Sequence, residues 1–157
     1  MDLTVLKSKI DRLINELFDE SGIFASVGRD SDGDLFVEYA GTKFYFEISQ
    51  IPTFEIHSKS WQDLEMPHLS VKIFGRVLGN LTPGATLNKY VVEQLNFQIF
   101  TRLWTTASDV QGKVELWQGI TLAADALDVS ELRNGLIQVI RDLLDSRTNM
   151  PAKALRP

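Results

Sequence analysis

The sequence predicts an α+β fold, a largely antiparallel sheet with N-terminal, short middle and C-terminal helices packed on one face. Three observations predict it. Apolar residues recur at helical spacing at both ends of the chain, runs of alternating or β-branched residues fill the space between, and most connections between those runs are too short for parallel crossovers, which need a dozen or more residues.

The elements follow in order. Leu3, Leu6, Ile10, Leu13, Ile14 and Leu17 form one apolar stripe, which predicts an amphipathic helix over residues 2–20 that stops at Ser21-Gly22. Ile23–Val27 and Asp34–Ala40 read as strands joined by the turn-forming Arg29-Asp30-Ser31-Asp32-Gly33. Gly41 permits a second reversal into Thr42–Ser49, where Phe44, Phe46 and Ile48 alternate with Lys43, Tyr45 and Glu47. Between Pro52 and Pro67, Thr53–His57 reads as a short edge strand and Ser58–Glu65 as loop, because proline cannot donate to a central ladder. His68–Leu78 resumes as a strand. Thr82 or Thr86 is placed to cap a short helix carrying Leu87, Tyr90, Val91 and Leu95 to about Asn96. Phe97–Thr106 and Lys113–Ala123 then read as a hairpin of two long strands. Last, Asp128 or Ser130 caps a helix whose stripe is Leu132, Leu136, Val139, Ile140 and Leu143, ending near Arg147. Residues 1–147 are thus read as one domain and 148–157, with two prolines and little to bury, as a loose tail.

Composition narrows the function classes. The 157 residues are 44% hydrophobic and 24% charged, as in a soluble globular protein, and with 0 cysteines there is no disulfide, thiolate metal site or cysteine nucleophile. Nothing asks for an oxidising compartment, and the opening residues lack an uninterrupted apolar stretch, so a cytoplasmic protein with no membrane contact is expected. The whole net charge of −5 belongs to residues 1–50, and no dense basic cluster is present, so nucleic acid is not an expected partner.

Motifs for chemistry are mostly missing. Asp30, Asp32 and Asp34 alternate as calcium ligands do, but counting from Asp30 the EF-hand positions for glycine and the bidentate glutamate hold Leu35 and Gly41, which leaves a solvated turn. His57 and His68, with Glu55, Asp63 and Glu65 nearby, lack a metal-ligand spacing. No nucleophile elbow, phosphate loop or dinucleotide turn occurs, so no enzyme, cofactor or metal is expected. Aromatic residues are more informative. If Val114, Leu116, Ile120 and Leu122 face the helices, Trp117 points the other way, and Phe100 and Trp104 on the partner strand join it. Phe100, Trp104 and Trp117 are therefore the expected protein interface, unless a loop such as Thr53–Glu65 covers them.

In its order of elements the chain resembles the type III secretion chaperone-like fold, and specifically its free-standing bacterial branch of sensory transduction regulators, the YbjN-like group. The resemblance spans about residues 2–147. It rests on the opening helix with the SGIFASVGRDSDGDLFVEY hairpin, on LNKYVVEQLNFQIFTRLWTTASDVQGKVELWQGITL, and on the closing DVSELRNGLIQVIRDLL helix. It implies a small acidic cytoplasmic protein, commonly a homodimer, that binds another protein and catalyses nothing. The reading is a non-enzymatic chaperone-like or regulatory adaptor; the alternative is a sensory domain that binds a small ligand between sheet and helices.

Overall fold

The computed structural model describes residues 3–21, 26–51, 68–123 and 128–151. The order is α1 (Leu3–Ser21), β1 (Ser26–Arg29), β2 (Leu35–Tyr39), β3 (Thr42–Ile51), β4 (His68–Leu81), α2 (Ala85–Phe97), β5 (Arg102–Ala107), β6 (Val114–Ala123) and α3 (Val129–Thr148). The six strands form one antiparallel sheet in the order β1-β2-β3-β4-β6-β5. The fold is α+β with its helices on one face, as the sequence predicts. The expected strand Thr53–His57 and loop Ser58–Glu65, and with them any cover they provide, lie outside the described residues.

Alternation within the strands builds the core. Val37 on β2, Phe44 and Phe46 on β3, Val71, Ile73 and Val77 on β4, Leu103 on β5 and Leu116 on β6 are buried beneath the helices. Leu6, Ile10, Leu13 and Ile14 of α1 and Leu132, Leu136, Val139 and Leu143 of α3 fill the facing layer. The side chains of Leu3 and Leu17 lie outside the described residues. At Gly135 the helix comes so close to the sheet that an added Cβ would sit 3.0 Å from Leu122 and 3.4 Å from Ile73. Past α3, Met150 also packs against the core.

Turn chemistry sets the registers. Ala40 and Gly41 both have positive φ, 50° and 76°, the geometry of a two-residue turn whose twist matches the flanking strands Tyr39 and Thr42. Asp30 organises the first hairpin turn: its Oδ1 accepts from the backbone N–H groups of Asp32 (3.0 Å) and Asp34 (2.9 Å).

Strands β3 and β4 run on to Ile51 and Leu81, past the expected Ser49 and Leu78, and three further boundaries differ from the expected ones. Strand β1 includes Arg29, paired with Leu35, because the turn is tightened by the Asp30 carboxylate. Helix α2 is capped by neither Thr82 nor Thr86: Gly84, at φ 148°, is the N-cap with no side-chain bond, and Thr82 instead accepts from Lys113 Nζ at 2.9 Å. The largest difference is at Phe97–Thr101, expected as strand. Phe97 ends α2, the Gln98 N–H closes the last turn on Gln94 O at 2.8 Å, and β5 begins only at Arg102. Asp128 caps α3 as expected, accepting from the Glu131 N–H at 2.8 Å.

Leu136, 1% exposed, lies at the centre of the α3 stripe. Leu136→Asp places an unpaired charge there and is expected to destabilise the protein by about 4 kcal/mol or more, read by chemical denaturation; near-native stability would show that this face of α3 is not core.

Candidate functional site: an outward apolar surface

The face of the sheet turned away from the helices carries an aromatic row. Phe36 (β2), Tyr45 (β3), Phe74 (β4), Trp117 (β6) and Trp104 (β5) come from strands adjacent in the sheet, through the registers Phe36↔Tyr45, Tyr45↔Phe74 and Trp104↔Trp117. Neighbouring rings touch: Phe36 meets Tyr45 edge-on at 6.0 Å, Tyr45 stacks on Phe74 at 5.5 Å, and Phe74 lies 6.2 Å from Trp104 and 5.8 Å from Trp117. Four strand spacings make the row about 19 Å long. All five rings are half-buried against one another.

Two features hold the rings flat. Glycines sit beneath both ends: a Cβ at Gly28 would come within 2.9 Å of the Phe36 ring, and one at Gly119 within 2.6 Å of Ile73 O and 3.0 Å of Trp104. Lysine ammoniums lie above, Lys43 at 4.7 Å from the Phe36 centroid and Lys72 at 4.0 Å from that of Trp104. The Trp117 indole N–H donates to Thr106 Oγ1 at 2.9 Å.

Trp104 and Trp117 thus point where parity predicts. Phe100 does not share their strand. It lies in the connector before β5 and reaches Trp104 across a groove of about 410 Å³ lined also by Lys72, Ile99 and Ile120.

The connector has its polar side in and its apolar side out. Gln98 and Thr101 are 6% and 1% exposed, whereas Phe97, Ile99 and Phe100 are 82%, 74% and 66% exposed. A buried hydrogen-bond network is the cause. Gln98 Nε2 donates to Asp142 O (2.9 Å), Thr101 Oγ1 to the Asp142 carboxylate (2.7 Å), Gln118 Nε2 to Gln98 Oε1 (2.8 Å) and to Thr101 Oγ1 (3.0 Å), and Ser146 Oγ to Gln118 Oε1 (2.7 Å). Tyr90 adds its hydroxyl to the Ser146 carbonyl, and burial pushes that phenol's pKa up despite this bond. No buried side-chain polar atom among the described residues lacks a partner. With Val92 and Leu95 of α2, the turned-out residues form an apolar ridge beside edge strand β5. Sequence reading missed this ridge because a β-like run of apolar residues was read as strand; the polar alternates Gln98 and Thr101 were the available signal.

Two other places bear on chemistry. The carboxylates of Asp30, Asp32 and Asp34 lie within 4.8 Å of one another; burial first, then Asp30, raises the Asp34 pKa. His57 and the His68 side chain lie outside the described residues. Between α1 and β1–β3 there is a cavity of about 300 Å³ with Lys7, Asp11, Arg29 and Asp34 among its lining. Arg29 there already donates to Asp11 and to Gly33 O, both at 2.9 Å.

No protein-family model and no curated protein sequence matches the chain. A solved structure does: a chain in the crystal structure of the ExsC–ExsE complex superposes with a TM-score of 0.60 at 16% identity, covering 97% of this chain and 98% of that one. The likeness spans the whole arrangement of sheet and helices.

Replacing Gln118 by leucine leaves Ser146, Gln98 and Thr101 short of partners. Gln118→Leu is expected to cost about 2 kcal/mol or more in urea unfolding; no loss would show that the network does not hold the connector.

Proposed function

We propose that the protein is a non-enzymatic, protein-binding module, a chaperone-like or regulatory adaptor of the cytoplasm that works as a homodimer. The observation that carries this reading is the inverted connector, in which polar side chains are buried while Phe97, Ile99 and Phe100 stand in solvent. Large apolar residues grouped in this way are characteristic of partner surfaces. Among the described residues no helix is long and apolar enough to cross a membrane. The fold likeness to a chain of the ExsC–ExsE complex supports the same reading, since that structure is itself an assembly. The protein's place in the YbjN-like regulator branch, the finer part of the proposal, rests on the sequence resemblance.

The two apolar surfaces divide the work in this reading. The ridge Val92, Leu95, Phe97, Ile99 and Phe100, which flanks β5, the last strand of the sheet among the described residues, takes the second copy. The aromatic row, with Trp104 and Trp117, takes the client, and Phe100 borders both. The alternative of a small ligand between sheet and helices has the α1 cavity as its place, but the Arg29 donors there are already committed within the protein, which favours the protein-binding reading.

Two variants test it by light scattering and by affinity capture from the native cell. Trp104→Ser with Trp117→Ser is expected to keep the dimer mass and lose the retained protein. Phe97→Ser with Phe100→Ser is expected to halve the mass. If both variants are folded and neither mass nor retained proteins change, the interface lies elsewhere and the reading is dropped.

A further inference from the structure

The sheet is notched where β3 begins. Strand β4 pairs with β3 only as far as Phe44↔Gly75, yet β4 continues to Leu81. At the gap, Arg147 from the last turn of α3 stands in for a neighbouring strand: its Nε donates to Val77 O at 2.6 Å and its Nη2 to Arg76 O at 2.9 Å. The guanidinium is thereby carried from the helix layer to the margin of the open face. There it lines a half-open pocket of about 400 Å³ with Lys43, Arg76, Tyr45, Trp117 and Glu38.

We propose that this pocket binds the carboxylate of an acidic segment of a protein partner, an inference that rests on the protein-binding reading above. Charge complementarity is the first argument. The lining holds the three cations Lys43, Arg76 and Arg147 against one carboxylate, Glu38, in a chain whose net charge is −5. Burial, and after it the neighbouring Arg76, lowers the Arg147 pKa, yet a guanidinium remains charged in proteins, so an anion within reach of both arginines eases their repulsion. Arg76 is tied at one nitrogen only loosely, at 3.3 Å to Glu115, and is more than half exposed. Guanidinium groups fit the two oxygens of a carboxylate better than an ammonium does.

Continuity is the second argument. Tyr45 and Trp117, which wall the pocket, are also members of the aromatic row. A ligand anchored by its carboxylate therefore finds apolar ring faces directly beside it. That combination suits an acidic residue flanked by aromatic or aliphatic ones in an extended segment, and the half-open shape suits part of a chain better than an enclosed metabolite.

The test is a nuclear magnetic resonance titration of the full chain with three probes: a capped phenylalanyl-glutamyl-phenylalanine tripeptide, its glutamine counterpart, and inorganic phosphate. Saturable shifts are expected at Lys43, Tyr45, Arg76 and the Trp117 indole with the glutamate tripeptide, with at least tenfold weaker binding of the glutamine form. Lys43→Gln with Arg76→Gln, both on exposed side chains, is expected to remove that preference while leaving the melting temperature within a few degrees. Equal binding of the two tripeptides, or shifts elsewhere, overturns the proposal. So does phosphate alone displacing the glutamate tripeptide at equal concentration, which would make this a small-anion site. Equal binding of the two tripeptides by the unmodified chain, with the client lost in the Trp104→Ser, Trp117→Ser variant, refutes the pocket and leaves the wider reading standing; a preference for the glutamate tripeptide in the unmodified chain, with the client retained by that variant, does the reverse.

Discussion

A buried polar group must be hydrogen-bonded, and in this protein that requirement decides what the surface presents. Asp142 and Ser146 on α3 and Gln118 on β6 form a polar patch inside an otherwise apolar core. Each needs a partner, and Gln98 and Thr101 supply it from the segment that joins α2 to β5. Since these two side chains must point inward, Phe97, Ile99 and Phe100 have nowhere to go but out. Leaving apolar side chains in water forgoes burial, whereas leaving the network unpaired would cost about 1–3 kcal/mol for each orphaned group. The polar side wins, and the exposed ridge is its consequence.

On the open sheet face a different constraint applies. A bare layer of large aromatics would invite indiscriminate association. Here the rings lie over Gly28 and Gly119, pack stacked or edge to face on one another, and carry lysine ammoniums above them, so that each is half-buried among the described residues. The face keeps apolar ring area while part of each ring is covered by its neighbours. Arg147 links the two layers, since one side chain both satisfies the free carbonyls of β4 and brings positive charge to the flank of the aromatic row beside Tyr45 and Trp117.

Much of this was legible from residues alone, where a periodic pattern agreed with its surroundings. The α1 and α3 stripes, the β2–β3 reversal at Gly41 and the parity that sets Trp117 against Leu116 are properties of spacing, and spacing survives folding. Residues 97–101 were misread for a physical reason: Phe-Gln-Ile-Phe-Thr has the same look whether its apolar members face the core or solvent, and the partners that decide, Asp142 and Ser146, lie more than forty residues away. The α2 cap was misread because threonine hydroxyls were weighed and the backbone freedom of Gly84 was not. The aromatic row was only half visible, because Phe36, Tyr45 and Phe74 join it through strand order, which no local pattern encodes.

The central claim is that the side chains turned out by the buried network are an occupied interface. Hydroxyl-radical footprinting of the unmodified protein across a concentration series tests it most directly, with mass spectrometry reading the oxidation of each residue. Phe97 and Phe100 should be oxidised freely at low concentration and protected several-fold at high concentration, with the labelling of exposed sites such as Val110 unchanged. Oxidation of Phe97 and Phe100 that stays constant across the series, with or without the native partner present, would contradict the account.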